Sequence, residues 1–173
     1  SSDYMVLEDL GDFLLFQKRQ QEPAMNWYEK AIDQLVKIQK ISDLNKDQSF
    51  TRDLLKWETE HFVEYALLKR EKQISEGALH ELRLFLDKIV DVMAKSSYCL
   101  VHRDFHSKNL MVLERESLIG VIDFQDALWG PPVYDLASLL RDSYVALTDD
   151  EENHLLNYFE KASGRPLDRQ LFA

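Results

Sequence analysis

One stretch of the sequence limits the possible folds more than any other. Residues 102–109 read His-Arg-Asp-Phe-His-Ser-Lys-Asn directly after a short apolar run, and residues 121–127 read Val-Ile-Asp-Phe-Gln-Asp-Ala. Apolar runs between these segments predict a β-hairpin. A strand–loop–strand–turn–strand path would bring three polar side chains to one edge of a small β element: Asp104, Asn109 and Asp123.

These residue types suit one kind of chemistry. Phosphoryl transfer needs a carboxylate to orient the attacking hydroxyl, together with a carboxamide and a second carboxylate to hold magnesium. The protein forms few covalent bonds in such a reaction, so fixed position and charge supply most of the rate.

The motifs resemble those of the aminoglycoside phosphotransferase and choline kinase superfamily, which has a protein-kinase-like fold. Three patterns typical of that superfamily occur in order: H-x-D-x-H-x-x-N at 102–109, I-D-[FW]-x-x-A at 122–127 and G-x-P-x-x-D-L-A at 130–137. Within it, residues 101–140 most resemble the bacterial amino-sugar kinases. Those enzymes phosphorylate N-acetylmuramate or N-acetylglucosamine in cell-wall recycling.

The resemblance implies a role for individual residues. Asp104 would be the catalytic base, and Asn109 and Asp123 would be the Mg²⁺ ligands. His102 and Asp135 would support the catalytic loop through hydrogen bonds. The fold implied is α+β, the mainly helical C-terminal lobe of a protein-kinase-like fold with a small β element carrying these loops.

The resemblance also implies how the chain is organised. Residues 1–12 would form an interlobe hinge strand, in which the backbone carbonyl of Glu8 and the N–H of Leu10 face the adenine of ATP. Residues 13–173 would form the catalytic lobe. The ATP-binding N-terminal lobe, with its glycine-rich loop and strand lysine, has no counterpart in the sequence. We therefore expect this piece alone to bind ATP poorly and to be inactive.

Two departures from the protein-kinase pattern bear on the substrate. Only eleven residues separate Asp123 from Asp135, too few for a platform that binds a peptide, which indicates a small-molecule acceptor. Gln125 replaces the glycine of the D-F-G motif, which makes a flip of that segment less favourable.

Two further side chains near the motifs have open roles. His106 could contact substrate or metal, and H-x-D-x-H could also indicate a metal-hydrolase site, although no further ligand follows at a motif spacing. Asp126 could likewise contact metal or substrate, or could cap a turn.

Apolar periodicity predicts the remaining elements. The stripe Leu54, Trp57, His61, Tyr65 and Leu68 predicts a helix with a half-buried His61. Thr148 followed by Glu151 is a capping-box signature. Arg141 and Asp142 are interpreted as a surface pair. The first predicted helix carries the apolar stripe within 27–36, and the others cover 51–70, 78–95, 133–144 and 148–161. The predicted strands cover 4–7, 98–101, 109–113 and 118–122.

Composition narrows the function classes. A formal net charge of −10 argues against nucleic acid as a partner, because phosphates require a basic surface. The single cysteine, Cys99, cannot form an internal disulfide, so a cytoplasmic location is expected. No apolar run is long enough to predict a membrane span.

The sequence therefore predicts an ATP-dependent kinase that acts on a small molecule. An amino sugar is the first expectation for the acceptor, a cationic aminoglycoside the second and choline the third. A non-catalytic, pseudokinase-like binding module is the alternative from another class, although such modules usually lose one of the three site residues. A protein kinase is disfavoured by the short span to Asp135.

Overall fold

The fold is mainly helical and contains two small antiparallel sheets, which confirms the predicted α+β class. The structure is a computed structural model that describes residues 8–21, 24–44, 47–70, 73–167 and 169. The predicted strand at 4–7 lies outside the described residues. None of the helices in the described ranges is long and apolar enough to cross a membrane.

The helices and strands follow one another in an order that places all four strands between α4 and α5. The helices are α1 (Leu15–Gln21), α2 (Met25–Gln39), α3 (Arg52–Phe62), α4 (Glu76–Lys95), α5 (Val133–Leu140) and α6 (Asp149–Ser163). A π-helical turn (Val63–Leu67) and a 3₁₀ turn (Leu68–Arg70) continue α3. The strands are β1 (Cys99–Val101), β2 (Leu110–Leu113), β3 (Leu118–Val121) and β4 (Leu128–Gly130).

The strands pair as two ladders that flank the predicted catalytic loop. The predicted hairpin is present as β2 and β3, with Leu110 opposite Val121. β1 pairs with β4, with Val101 opposite Leu128. The sequence did not predict β4, because three residues are too few to show an alternating pattern. The two ladders give the loop at 102–109 a fixed strand at each end, β1 before it and β2 after it.

The larger hydrophobic core lies between α2, α5, α6 and the hairpin. The predicted apolar stripe of α2 is buried as expected, and its members include Ala31, Ile32 and Leu35, each with no exposed surface. Phe105, in the middle of the loop at 102–109, is also fully buried in this core. Burial of a side chain of this size contributes roughly 1.5–3 kcal/mol, so Phe105 anchors the middle of the loop.

The α3–α4 hairpin packs differently from the sequence prediction. Leu55 of α3 and Val90 of α4 face the smaller core beneath β1 and β4. Trp57 is 54% and Tyr65 49% exposed, and His61 is exposed between their rings at centroid distances of 4.4 and 4.6 Å. The prediction that His61 is half-buried is therefore wrong. Apolar residues occupy more than one face of α3, and periodicity alone does not say which face meets the core.

The helix ends show what local sequence decides. The capping box at α6 is confirmed, with Thr148 and Glu151 each accepting from the other's backbone N–H. Gly164, with φ of +68°, ends that helix in the left-handed conformation that glycine adopts at little cost. α5 ends at Leu140 rather than at the predicted Tyr144, because the Asp142 carboxylate accepts from the Tyr144 N–H and forms a turn.

Candidate active site

The loop at 102–109 is held at its start by a buried carboxylate. Asp135, in the first turn of α5, accepts hydrogen bonds from the backbone N–H groups of His102 (2.7 Å) and Arg103 (2.9 Å). Arg103 has a φ of +76°, a conformation that is rare for residues with a side chain. The two bonds from Asp135 stabilise the chain in that conformation.

Asp135 is also electrostatically unusual. Burial raises the pKa of its carboxyl from an ordinary 3.8 to about 6, and the like charge of Asp104 adds to the increase. The two backbone N–H donors act in the opposite direction, because they stabilise the ionised form. At neutral pH the carboxylate is therefore ionised and both of its oxygens accept from the loop.

His102 connects the loop to the second motif. Its ring Nε2 lies 2.9 Å from the carbonyl oxygen of Ile122. A carbonyl can only accept, so Nε2 carries the proton and Nδ1, which is buried without a partner, does not. Burial lowers the pKa of His102 and keeps the ring neutral. His102 thereby fixes the backbone immediately before Asp123.

The structure brings together the segments that carry Asp104, Asn109 and Asp123. The Asn109 side-chain amide donates to the backbone carbonyl of Asp104 at 3.0 Å. The Asn109 carbonyl accepts from the N–H of Ile122 at 3.1 Å, one residue before Asp123. The side chains of Asp104 and Asp123 are exposed, so both carboxylates are accessible from solvent.

The side-chain oxygens of Asn109 and Asp123 are of the types that magnesium binds in proteins. Because the NH₂ group of Asn109 faces a carbonyl, its Oδ1 faces the other way. Asp123 has a φ of +66°, and its Oδ1 accepts from the Gln125 side chain at 2.8 Å. Within the described residues, no group of three or more His, Cys, Asp or Glu side chains could hold a metal. One carboxylate and one amide oxygen suit magnesium, which keeps most of its water ligands in proteins.

The remaining motif residues, His106 and Asp126, lie beside this edge. The ring of His106 is half-buried and packs edge-on against Tyr144 at a centroid distance of 5.5 Å. Asp126 is exposed in the turn before β4. His102, Asp104 and His106 do not form a metal-binding group among the described residues, which leaves the metal-hydrolase alternative without support.

The predicted hinge is described only from Glu8 onward, and Leu7 lies outside the described residues. Glu8 is exposed, whereas Leu10 is half-buried and packs against Gly120 of β3. A methyl group added at Gly120 would lie 3.3 Å from Leu10 Cδ1. Segments 9–13 and 112–116 enclose a cavity of about 360 Å³ there. The adenine-facing role of Glu8 and Leu10 stays a prediction.

A larger, mainly apolar cavity of about 710 Å³ lies on another side of the motifs. Phe124, which is 69% exposed, and His102 line it, whereas Asp104, Asn109 and Asp123 do not. This cavity therefore does not include the edge that carries the polar groups. The polar edge is the better candidate for chemistry, because hydrogen bonds through Asn109 hold the segments of its three polar residues side by side.

Two residues that hold the loop, Asp142 and Glu58, were not predicted from the sequence. Asp142, interpreted as a surface residue, is 9% exposed and accepts from the backbone N–H of Ser107 at 2.9 Å. Its spacing of seven residues from Asp135, about two helical turns, was the available signal. Glu58 of α3 binds both Arg103 (2.8 Å) and the Tyr134 hydroxyl (3.0 Å). No local pattern marks Glu58, since α3 is distant in sequence.

The sequence matches a family model and several curated proteins. The profile described as "Phosphotransferase enzyme family" matches residues 3–170. An N-acetylmuramate/N-acetylglucosamine kinase of Neisseria meningitidis is 32% identical over 92% of the chain and 49% of its own length. A Pseudomonas aeruginosa protein of the same name is 30% identical over 95% of the chain and 49% of its own length. The chain thus spans about half the length of the curated relatives it matches.

Solved structures with low sequence identity share the fold. A Streptomyces rimosus aminoglycoside phosphotransferase, solved with ADP and streptomycin, is 15% identical with a TM-score of 0.67, covering 95% of this chain and 64% of that one. A choline kinase from Streptococcus pneumoniae is 19% identical with a TM-score of 0.59, covering 85% and 49%. The predicted protein-kinase-like fold is confirmed by this likeness.

Proposed function

Because the chain belongs to the phosphotransferase enzyme family, we propose that its protein transfers the γ-phosphoryl group of ATP to a hydroxyl of a small molecule. One observation carries the proposal. The Asn109 side chain donates to the backbone carbonyl of Asp104, and the Asn109 backbone carbonyl accepts from the Ile122 N–H, so the segments that carry the candidate base and the candidate metal ligands lie side by side. Phosphoryl transfer requires these groups at one place.

Each residue at the edge has a proposed task. Asp104, exposed and next to a backbone fixed by Asp135, would accept a hydrogen bond from the acceptor hydroxyl and take its proton. Asn109 and Asp123 would hold magnesium through their side-chain oxygens. When bound, the metal would neutralise charge on the phosphates. Glu8 and Leu10 would bind adenine through backbone groups.

An amino sugar is the proposed acceptor, N-acetylmuramate or N-acetylglucosamine. The support is the identity of 30–32% to kinases of that name. The solved aminoglycoside phosphotransferases and choline kinases share the fold at lower identity and therefore do not favour their own acceptors.

The test is an assay of ADP release by the complete gene product with ATP and magnesium. Acceptors would be N-acetylmuramate, N-acetylglucosamine, an aminoglycoside and choline. We expect turnover on an amino sugar, and a fall in kcat of roughly 10²- to 10⁴-fold for Asp104→Asn. The control is Asp150→Asn, an exposed residue of α6, which should keep full activity.

The outcomes separate the candidate functions. Turnover on choline or an aminoglycoside alone would keep the reaction class and replace the acceptor. Protein that binds partners but shows no transfer to any acceptor would favour the non-catalytic module. Activity unchanged by Asp104→Asn would remove Asp104 from the proposed mechanism.

A further inference from the structure

Asp142 is a buried carboxylate that lies outside the catalytic loop and accepts a hydrogen bond from it. It lies two residues after the end of α5 and is 9% exposed. One oxygen accepts from the Tyr144 N–H at 2.8 Å, and the other accepts from the Ser107 N–H at 2.9 Å. Burying a carboxylate is costly unless hydrogen bonds replace its water. A turn cap alone would need only the first of these two bonds.

Ser107 occupies a critical position in the loop. It is fully buried, three residues after Asp104 and two before Asn109. Its N–H is held by Asp142, and its carbonyl accepts from the Phe16 N–H of α1 at 3.1 Å. Both sides of Ser107 are therefore fixed by elements that lie outside the loop.

The two carboxylates of the α5 segment hold opposite halves of the loop. Asp135 binds the N–H groups of His102 and Arg103 at the start, and Asp142 binds Ser107 in the second half. Asp104 lies between these attachment points. A rigid helix with its following turn thus sets the distance between them.

We propose that Asp142 is a positioning residue that fixes the second half of the catalytic loop and so aligns Asn109 with Asp104. The proposal rests on the phosphotransfer function proposed above. Asp142 touches neither substrate nor reacting atoms in this role. It acts through the backbone of Ser107, from which Asn109 follows by a turn closed by the Asn109 N–H bond to the His106 carbonyl at 2.9 Å.

Asp142→Asn in the complete protein tests the role in catalysis. The asparagine oxygen can keep the turn bond to Tyr144, but its NH₂ group cannot accept from Ser107. We expect kcat to fall on the order of 10- to 100-fold, because a small misplacement of reacting groups has effects of this size. The KM values for ATP and acceptor should stay within about threefold. Asp150→Asn is the matched control, and its kcat and KM values should equal those of the unvaried protein.

Amide hydrogen exchange tests the contact independently of any acceptor. In the unvaried protein the Ser107 amide should exchange slowly, although it lies in a loop, whereas the amide of exposed Ser143 should exchange fast. Asp142→Asn should accelerate Ser107 exchange by about tenfold or more without a similar change in α2.

The outcomes distinguish this inference from the proposed function. An unvaried protein that transfers phosphate to no acceptor contradicts the proposed function and leaves the exchange test to decide whether Asp142 holds the loop. Fast Ser107 exchange in the unvaried protein overturns the inference, even if Asp142→Asn fails to fold. An unchanged kcat in folded Asp142→Asn, or a loss confined to KM, also overturns it.

Discussion

Asp135 illustrates at the residue scale how the site depends on a charge in the interior. Its carboxylate has no exposed surface, yet two backbone donors of the loop require an acceptor there. An unsatisfied buried N–H costs about 1–3 kcal/mol. The hydrogen bonds to the loop therefore offset the cost of burying the Asp135 carboxylate, which is visible as its raised pKa.

Asp135→Asn should change how stability depends on pH. The folded-state pKa of Asp135 is about 6, above its ordinary 3.8, so between these values the folded chain holds a proton that the unfolded chain has released. The contribution of Asp135 to stability therefore falls as pH rises from 4 to 6 and is constant above that. Asparagine does not titrate.

Urea unfolding of both proteins between pH 4.5 and 8 measures this effect. The unfolding free energy of the unvaried chain minus that of Asp135→Asn should decrease by roughly 2 kcal/mol between pH 4.5 and about 6.5 and then level off. A difference that rises with pH would contradict the assigned direction.

At the scale of the element, the β1–β4 ladder is packed tightly next to the loop at 102–109. A methyl group at Gly130 would lie 2.6 Å from the Phe50 ring and 2.9 Å from Val101. Phe50 is itself held by a bond from its N–H to the Trp129 carbonyl at 2.8 Å. Val101 immediately precedes His102, so a shift of the ladder would reach the loop.

Gly130→Ala should therefore destabilise the chain by about 1–3 kcal/mol, the usual cost of overpacking. Gly77→Ala is the matched control, because nothing lies within 4 Å of a methyl group at Gly77 in α4. That change should be neutral or stabilise by up to about 1 kcal/mol. Chemical denaturation of both variants measures the difference, and equal midpoints would contradict the packing argument.

At the scale of the whole molecule, the two hydrophobic cores are unequal. The larger one joins α2, α5, α6 and the hairpin. Among the described residues, the smaller one beneath β1 and β4 contains one buried side chain from each of α3 and α4, Leu55 and Val90, with only partly buried neighbours from these helices. Several large side chains of α3 and α4 are half exposed, including Trp57, Leu84 and Phe85. Less apolar area is thus buried by this hairpin.

Hydrogen exchange of the 173-residue chain should show this inequality. Amides within α3 and α4 should exchange faster than those within α2 and α6, because local opening costs less where fewer apolar contacts break. Addition of urea at concentrations below global unfolding should increase the difference in exchange rate between these two pairs of helices. Equal protection of the two helix pairs would show that the cores unfold as one unit.

Local sequence determined the elements and the motif order of this protein. The α2 stripe, the hairpin strands and the Thr148 capping box each depend on residues within about one to two helical turns or one tight turn, so neighbouring residues suffice to specify them. The motifs at 102–109, 122–127 and 130–137 likewise carried the resemblance to a kinase lobe, since each motif lies within one short segment of the sequence.

Only the tertiary structure decided which faces are buried and which groups hold the loop. His61 was expected to be half-buried and is exposed, whereas Asp142 was expected at the surface and is buried. Burial depends on partners that are far away in the sequence. The bond that Arg103 donates to Glu58 joins residues 45 positions apart, and the bond that the Ser107 N–H donates to Asp142 joins residues 35 apart. Periodicity records the apolar residues of one segment, whereas burial is the free-energy optimum of all segments packed together.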